Sequence, residues 1–176
     1  NHGIKPLSKK RYLSTASREL SDEISGKLKS LGADVDCVPM IKVSPHRDRA
    51  VLDGVIKDIG KFDWLVFTSR YGAGHFLRRF KLLSGRVSDL EGRIACVGNG
   101  TADVFSKNGI SPALMPENFT TKDLALALKA KNVKGKRIAL LRTRMKKDPL
   151  KRALMAAGAE VTDCIVYDIE ENKGSG

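Results

Sequence analysis

The sequence predicts an α/β protein built on a doubly wound parallel sheet. Apolar runs of strand length alternate with helical periodicities along the whole chain. The intervals between runs hold helices of about 10 to 15 residues, the length of a βαβ crossover. Glycine or proline punctuates several of those helices, with Gly32 and Gly158 as stops and Pro149 as a start.

The elements follow in order. A strand over 11–15 leads into a helix over 17–31, where Leu20, Ile24, Leu28 and Leu31 recur at helical spacing. A second strand is predicted over 34–43. The segment "VSPHRDR", Val43 to Arg49, interrupts the alternation with Pro45 and reads as a linker. Helices then fall at 47–59, 71–83, 100–108, 121–131 and 148–157, between strands at 63–68, 93–97, 113–115, 136–141 and 160–168. Thr120 or Thr121 can cap the helix carrying Leu124 and Leu128. Asp148 can cap the one carrying Leu150, Leu154 and Ala157. The closing "DIEENKGSG" is polar and reads as a second linker. Five strands from Asp63 onward suffice for one flavodoxin-like lobe. The first two strands and their helix are left over as part of a second, similar lobe. The expected division is 1–44, 45–167 and 168–176.

The 176 residues carry a formal charge of +12, from 32 Lys plus Arg against 20 Asp plus Glu. That balance favours anionic partners. The basic residues are spread along the chain, with "RTRMKK", Arg142 to Lys147, as a local cluster. No arginine-rich block points to nucleic acid. Cys37, Cys96 and Cys164 are far apart and lie in or beside apolar runs, so they read as buried, reduced thiols of a cytoplasmic protein. His2, His46 and His75 have no metal-binding spacing. No run of 18 apolar residues suggests a membrane span.

In open α/β sheets, ligands bind beyond the carboxyl ends of the strands, where helix N-termini favour negative charge. The strand from Asp63 ends in Thr68, Ser69 and Arg70. The next ends in "GNGT", Gly98 to Thr101. The strand from Lys136 ends in "RTR", Arg142 to Arg144, and the last ends at Tyr167. Each has a plain structural explanation: a cap, a tight turn, a solvated charge, an edge aromatic. Together, hydroxyls, amides and guanidinium groups on one edge suit a ligand rich in carboxylate or phosphate. "GNGTAD" places Asp103 at the third glycine of a dinucleotide fingerprint, the wrong charge beside a pyrophosphate, and no P-loop pattern occurs.

These pieces, in this order, resemble uroporphyrinogen-III synthases. The matching stretches are "KPLSKKRYLSTASRE", "LGADVDCVPMIKV", "DWLVFTSRYG", "RIACVGNGTA", "KRIALLRTR" and "GAEVTDCIVYDI", spanning about Lys5 to Ile169. The resemblance implies two α/β lobes joined by two linkers, with a site between them. It implies dehydration of the linear tetrapyrrole hydroxymethylbilane, inversion of ring D, and closure of the macrocycle. No metal or organic cofactor is implied. Thr15, Thr68 and Ser69 match cleft-lining positions. Gly98, Asn99 and Thr101 match a turn that meets substrate carboxylates, and Arg142 matches a basic strand end. Tyr167 matches the tyrosine that assists departure of the hydroxyl. The lead-in "HGIKPLSKKR" is similar to the junction that follows a tetrapyrrole methyltransferase, so fusion or adjacency to one is expected, in a monomer.

The sequence also departs from the family pattern. Ala16 stands where arginine is frequent, Leu20 where glutamine is favoured, and Arg70 where small or apolar residues are usual. A returning second half of the first lobe is not in the sequence, so that lobe is expected to be half built. Two other readings compete: a non-catalytic tetrapyrrole- or anion-binding module, and a flavodoxin-like domain that binds nucleotide or nucleic acid.

Overall fold

The computed structural model describes residues 5–83, 86–90 and 93–173. The start of the methyltransferase-like lead-in and the terminal Gly-Ser-Gly lie outside them. The chain divides into two compact units, residues 1–44 with 169–176, and residues 45–168.

In the first unit, β1 (Arg11–Ser14) and β2 (Asp34–Cys37) form a parallel pair, joined by α1 (Arg18–Ser30). Ser17 caps the helix by accepting the Leu20 N–H on its hydroxyl. Gly32 follows at φ +94°, a conformation glycine adopts without strain. Contrary to the 34–43 prediction, the strand breaks after Cys37. Pro39 has no N–H to give a ladder, and β3 (Ile41–Pro45) begins beyond it.

The second unit holds α2 (Ala50–Lys57), β4 (Trp64–Phe67), α3 (Arg70–Leu83), β5 (Ile94–Cys96), α4 (Asn99–Ser106), α5 (Thr121–Ala130), β6 (Arg137–Thr143) and α6 (Pro149–Ala156). Strand β7 (Glu160–Glu171) closes the series and runs on past Tyr167, into the stretch read as a polar linker. The sheet order is β3-β7-β6-β4-β5. The β7-β6-β4-β5 ladders are all parallel. The strand expected over 113–115 is reduced to one bridge, Leu114 to Ala95; Pro112 and Pro116 bound it and cannot donate. The two segments read as linkers carry paired strand: the His46 N–H donates to the Val166 carbonyl at 3.0 Å, and the Asn172 N–H to the Met40 carbonyl at 2.8 Å.

Alternation along β4 explains why helices cover both faces. Val66 joins Leu124, Leu128, Leu140, Leu150 and Leu154 under α5 and α6. Phe67 points the other way and packs on Phe76 of α3 at 5.1 Å and Phe105 of α4 at 4.8 Å. Cys96 and Cys164 are buried, and burial pushes both thiols up to about 12. Cys37 is exposed, unlike the prediction: it is the last residue of β2, at the margin of the face that α1 covers, with its Sγ 3.8 Å from the Ser21 carbonyl.

Candidate functional site

Because β4, β5, β6 and β7 are parallel neighbours, their carboxyl ends share one edge of the second unit. That edge carries Thr68 and Ser69 after β4, the 98–101 turn after β5, and Tyr167 on β7. The turn opens with Gly98 in extended backbone, and the Thr101 and Ala102 N–H groups return to the Gly98 carbonyl at 3.0 Å. A Cβ on Gly98 would lie 2.9 Å from Phe119 Cβ, so only glycine fits beneath that ring. Asn99 is exposed and Thr101 is buried.

Ser69 begins α3 by accepting the Gly72 N–H on its hydroxyl at 3.0 Å. The same side chain stands near the Tyr167 ring, and it acts to lower the phenol's pKa. Gly72 sits where three segments crowd together. A Cβ there would meet the Leu141 carbonyl at 3.2 Å, Ser69 Oγ at 3.3 Å and Tyr167 Cε1 at 3.6 Å. Tyr167 reaches this place through an irregularity of register: Arg142 pairs with Ile165, but Thr143 pairs with Tyr167. One extra residue in β7 bends the strand and re-aims the side chain.

The Tyr167 ring is 4% exposed. Tyr71 flanks it at 5.9 Å, and His75 stacks on it at 6.1 Å with planes 16° apart. Burial raises the phenol above its usual 10, against the opposing effect of the Ser69 hydrogen bond. The phenol is therefore neutral and able to donate across the whole neutral range.

Arg142 is set apart from that group. It is 3% exposed, and its guanidinium forks onto Asp163, with Nε to Oδ1 at 3.0 Å and Nη2 to Oδ2 at 2.8 Å. Asp148, the α6 cap, takes an ion pair from the same Nη2. Burial pushes the Asp163 carboxyl up, but Arg142 and Lys151 outweigh it and the net shift is down. The remaining nitrogen, Nη1, is buried without a hydrogen-bond partner. Thr15 lies in the first unit, exposed, after β1. An open depression of about 690 Å³ in that unit is lined by Ser17, Arg18, Asp22, Lys42 and Asn172, among others.

Three residues escaped the sequence reading: Tyr71, Gly72 and His75. Tyr71 and His75 are spaced four apart on one helix, a pairing that places two rings on one face. That spacing was the available signal. No cluster of three potential metal ligands occurs among the described residues, nor is any described helix long and apolar enough to cross a membrane.

This architecture defines a class: an α/β protein whose parallel sheet gathers hydroxyls and helix N-termini at its carboxyl edge. Within that class, residues 22–175 match the uroporphyrinogen-III synthase HemD family, and the chain belongs to it. It is 27% identical over 164 residues to the uroporphyrinogen-III synthase of Synechococcus elongatus, covering 93% of this chain and 62% of that protein. A putative uroporphyrinogen-III synthase of Methanothermobacter thermautotrophicus is 25% identical, with 87% and 60% covered. The chain thus spans less than two thirds of these relatives. Among solved structures, a mutant uroporphyrinogen III synthase of Thermus thermophilus superposes with a TM-score of 0.63 at 16% identity, covering 93% of this chain and 64% of that one. The Helicobacter pylori enzyme gives 0.58 at 13% identity, covering 80% and 58%. At such identities the likeness speaks for the fold.

Proposed function

We propose that the protein to which this chain belongs is a uroporphyrinogen-III synthase, which dehydrates and cyclises hydroxymethylbilane with inversion of ring D. The observation that carries this reading is the single edge holding Thr68, Ser69, the 98–101 turn and the neutral, buried Tyr167. The family membership and the relatives' names support it.

The substrate's carboxylates find amides at the start of α4 and the hydroxyls of Thr68 and Thr101. The exposed Asn99 adds a polar contact. The net charge of +12 draws in a polyanion. In the chemical step a pyrrole nitrogen pushes its electron pair toward the hydroxymethyl carbon. The C–O bond breaks with its pair on oxygen, which takes up a proton and leaves as water. The Tyr167 O–H hydrogen-bonds that oxygen as charge develops. Most of the remaining barrier is conformational, and the protein lowers it by holding the chain ends where ring D inverts. The Arg142 guanidinium, already paired, serves the site from behind by locking β6, β7 and the α6 cap together. Cytoplasmic location and association with a tetrapyrrole methyltransferase complete the reading.

Isomer analysis tests it. Hydroxymethylbilane is supplied to the full-length protein, and the oxidised products are separated by chromatography. The type III isomer is expected. Type I alone, the product of unassisted closure, would overturn the assignment.

A further inference from the structure

Ser69 matches a position that lines the cleft, yet its hydroxyl already faces two groups of this chain. Its oxygen takes the Gly72 N–H at 3.0 Å, and the edge of the Tyr167 ring lies against the same spot at Gly72. A serine hydroxyl offers one proton and two lone pairs. The backbone N–H can only donate, so it fixes the head of the chain of hydrogen bonds. It also stands in the first turn of α3, the positive end of the helix. A chain running on from there to Tyr167 would pass polarity in one direction: Gly72 N–H to the Ser69 oxygen, Ser69 O–H to the Tyr167 oxygen. Each donated bond strengthens the next donor.

We propose that Ser69 is a positioning residue for the reaction. By donating its own O–H to the Tyr167 oxygen, it reserves the phenol proton for the departing hydroxyl of the substrate and sharpens that phenol as a donor. The inference rests on the functional reading above. Two further observations support it. Gly72 brings Ser69 Oγ and the edge of the Tyr167 ring to one spot, 3.3 and 3.6 Å from where its Cβ would stand. Tyr71 and His75 hold the ring itself, leaving the hydroxyl direction as the freedom that Ser69 settles. Neither covalent change nor net proton transfer at Ser69 is required.

The test uses the full-length protein with Ser69→Ala, Ser69→Thr, Tyr167→Phe and the double variant Ser69→Ala/Tyr167→Phe. Steady-state turnover of hydroxymethylbilane is measured. Tyrosine ionisation is followed by absorbance, with Tyr167→Phe as the blank that isolates one ring. Ser69→Ala should lower kcat about tenfold, the equivalent of one lost hydrogen bond, with KM nearly unchanged. Ser69→Thr should restore most of it. In the Tyr167→Phe background, Ser69→Ala should add nothing. The Tyr167 ionisation should move to higher pH in Ser69→Ala, a signature that loss of the helix cap alone would not give. Equal losses in both backgrounds, a change in KM alone, or an unmoved ionisation would overturn the proposal while leaving the role of Tyr167 standing. If Tyr167→Phe itself turns over normally, the role of Tyr167 fails and the proposal fails with it.

Discussion

Strands β4 and β1 both open a βα unit, but their surroundings differ sharply. Leu65, Val66 and Phe67 are fully buried, whereas Tyr12 is 38% and Leu13 64% exposed. The helices differ in the same sense. Helix α3 buries Phe76, Leu77 and Phe80. Helix α1 buries Ser21 and Ser25, and its leucine stripe is only half covered, with Leu31 exposed. Ser21 is held by hydrogen bonds, to Ser14 Oγ at 2.9 Å and the Ala16 carbonyl at 3.2 Å. The same alternating pattern thus yields a dense core only where helices cover both faces of the sheet. A two-stranded sheet with one helix has one covered face, and polar contacts supply part of the cohesion that apolar area supplies elsewhere.

The widest gap should appear on truncating side chains. Phe67→Ala should cost about 3–5 kcal/mol, while Leu13→Ala should stay within about 0.5 kcal/mol. Urea unfolding followed by Trp64 fluorescence for the first, and circular dichroism for both, checks the contrast. Similar costs would dissolve it.

Arg142→Met comes next. It strands Asp163 and Asp148 without their main cation, a loss of about 3 kcal/mol. Adding Asp163→Leu should recover part of that, as apolar replacement of a buried pair often does. A single variant as stable as the parent would show the ion pair to be dispensable.

Acid gives the smallest and most graded effect. Asp63 is held below its usual 3.8, first by the Arg137 N–H and then by Lys136, and Asp163 is also lowered. A carboxyl lowered on folding stabilises the protein above 3.8 and loses that contribution as pH falls through the folded value. Stability should therefore decline below about pH 4, and Asp63→Asn should blunt the decline. A variant with an identical acid profile would remove Asp63 from the account.

Much of the site was legible because its ingredients are local. A strand's end, a capping serine and a glycine turn are written in adjacent residues, and a parallel sheet brings successive strand ends to one edge. Arg142 was legible as a charge but not as a buried one: the carboxylates that claim it, Asp148 and Asp163, come from the next helix cap and the next strand. The break at Pro39 could be foreseen from its missing N–H. The extension of β7 through a polar stretch could not, because its partner is β3.

By itself, then, the sequence determined the class of fold, the order of helices and strands, and the residues offered at each strand end. Periodicity, caps and turn residues act over a few positions, and the chain carries them openly. The tertiary structure alone decided which of those residues stay open at the sheet edge and which face each other. Register irregularity in β7 aimed Tyr167, the packing at Gly72 brought it beside Ser69, and burial turned Arg142 inward. Such outcomes depend on which side chains meet across the sheet, and no stretch of neighbouring residues holds that information.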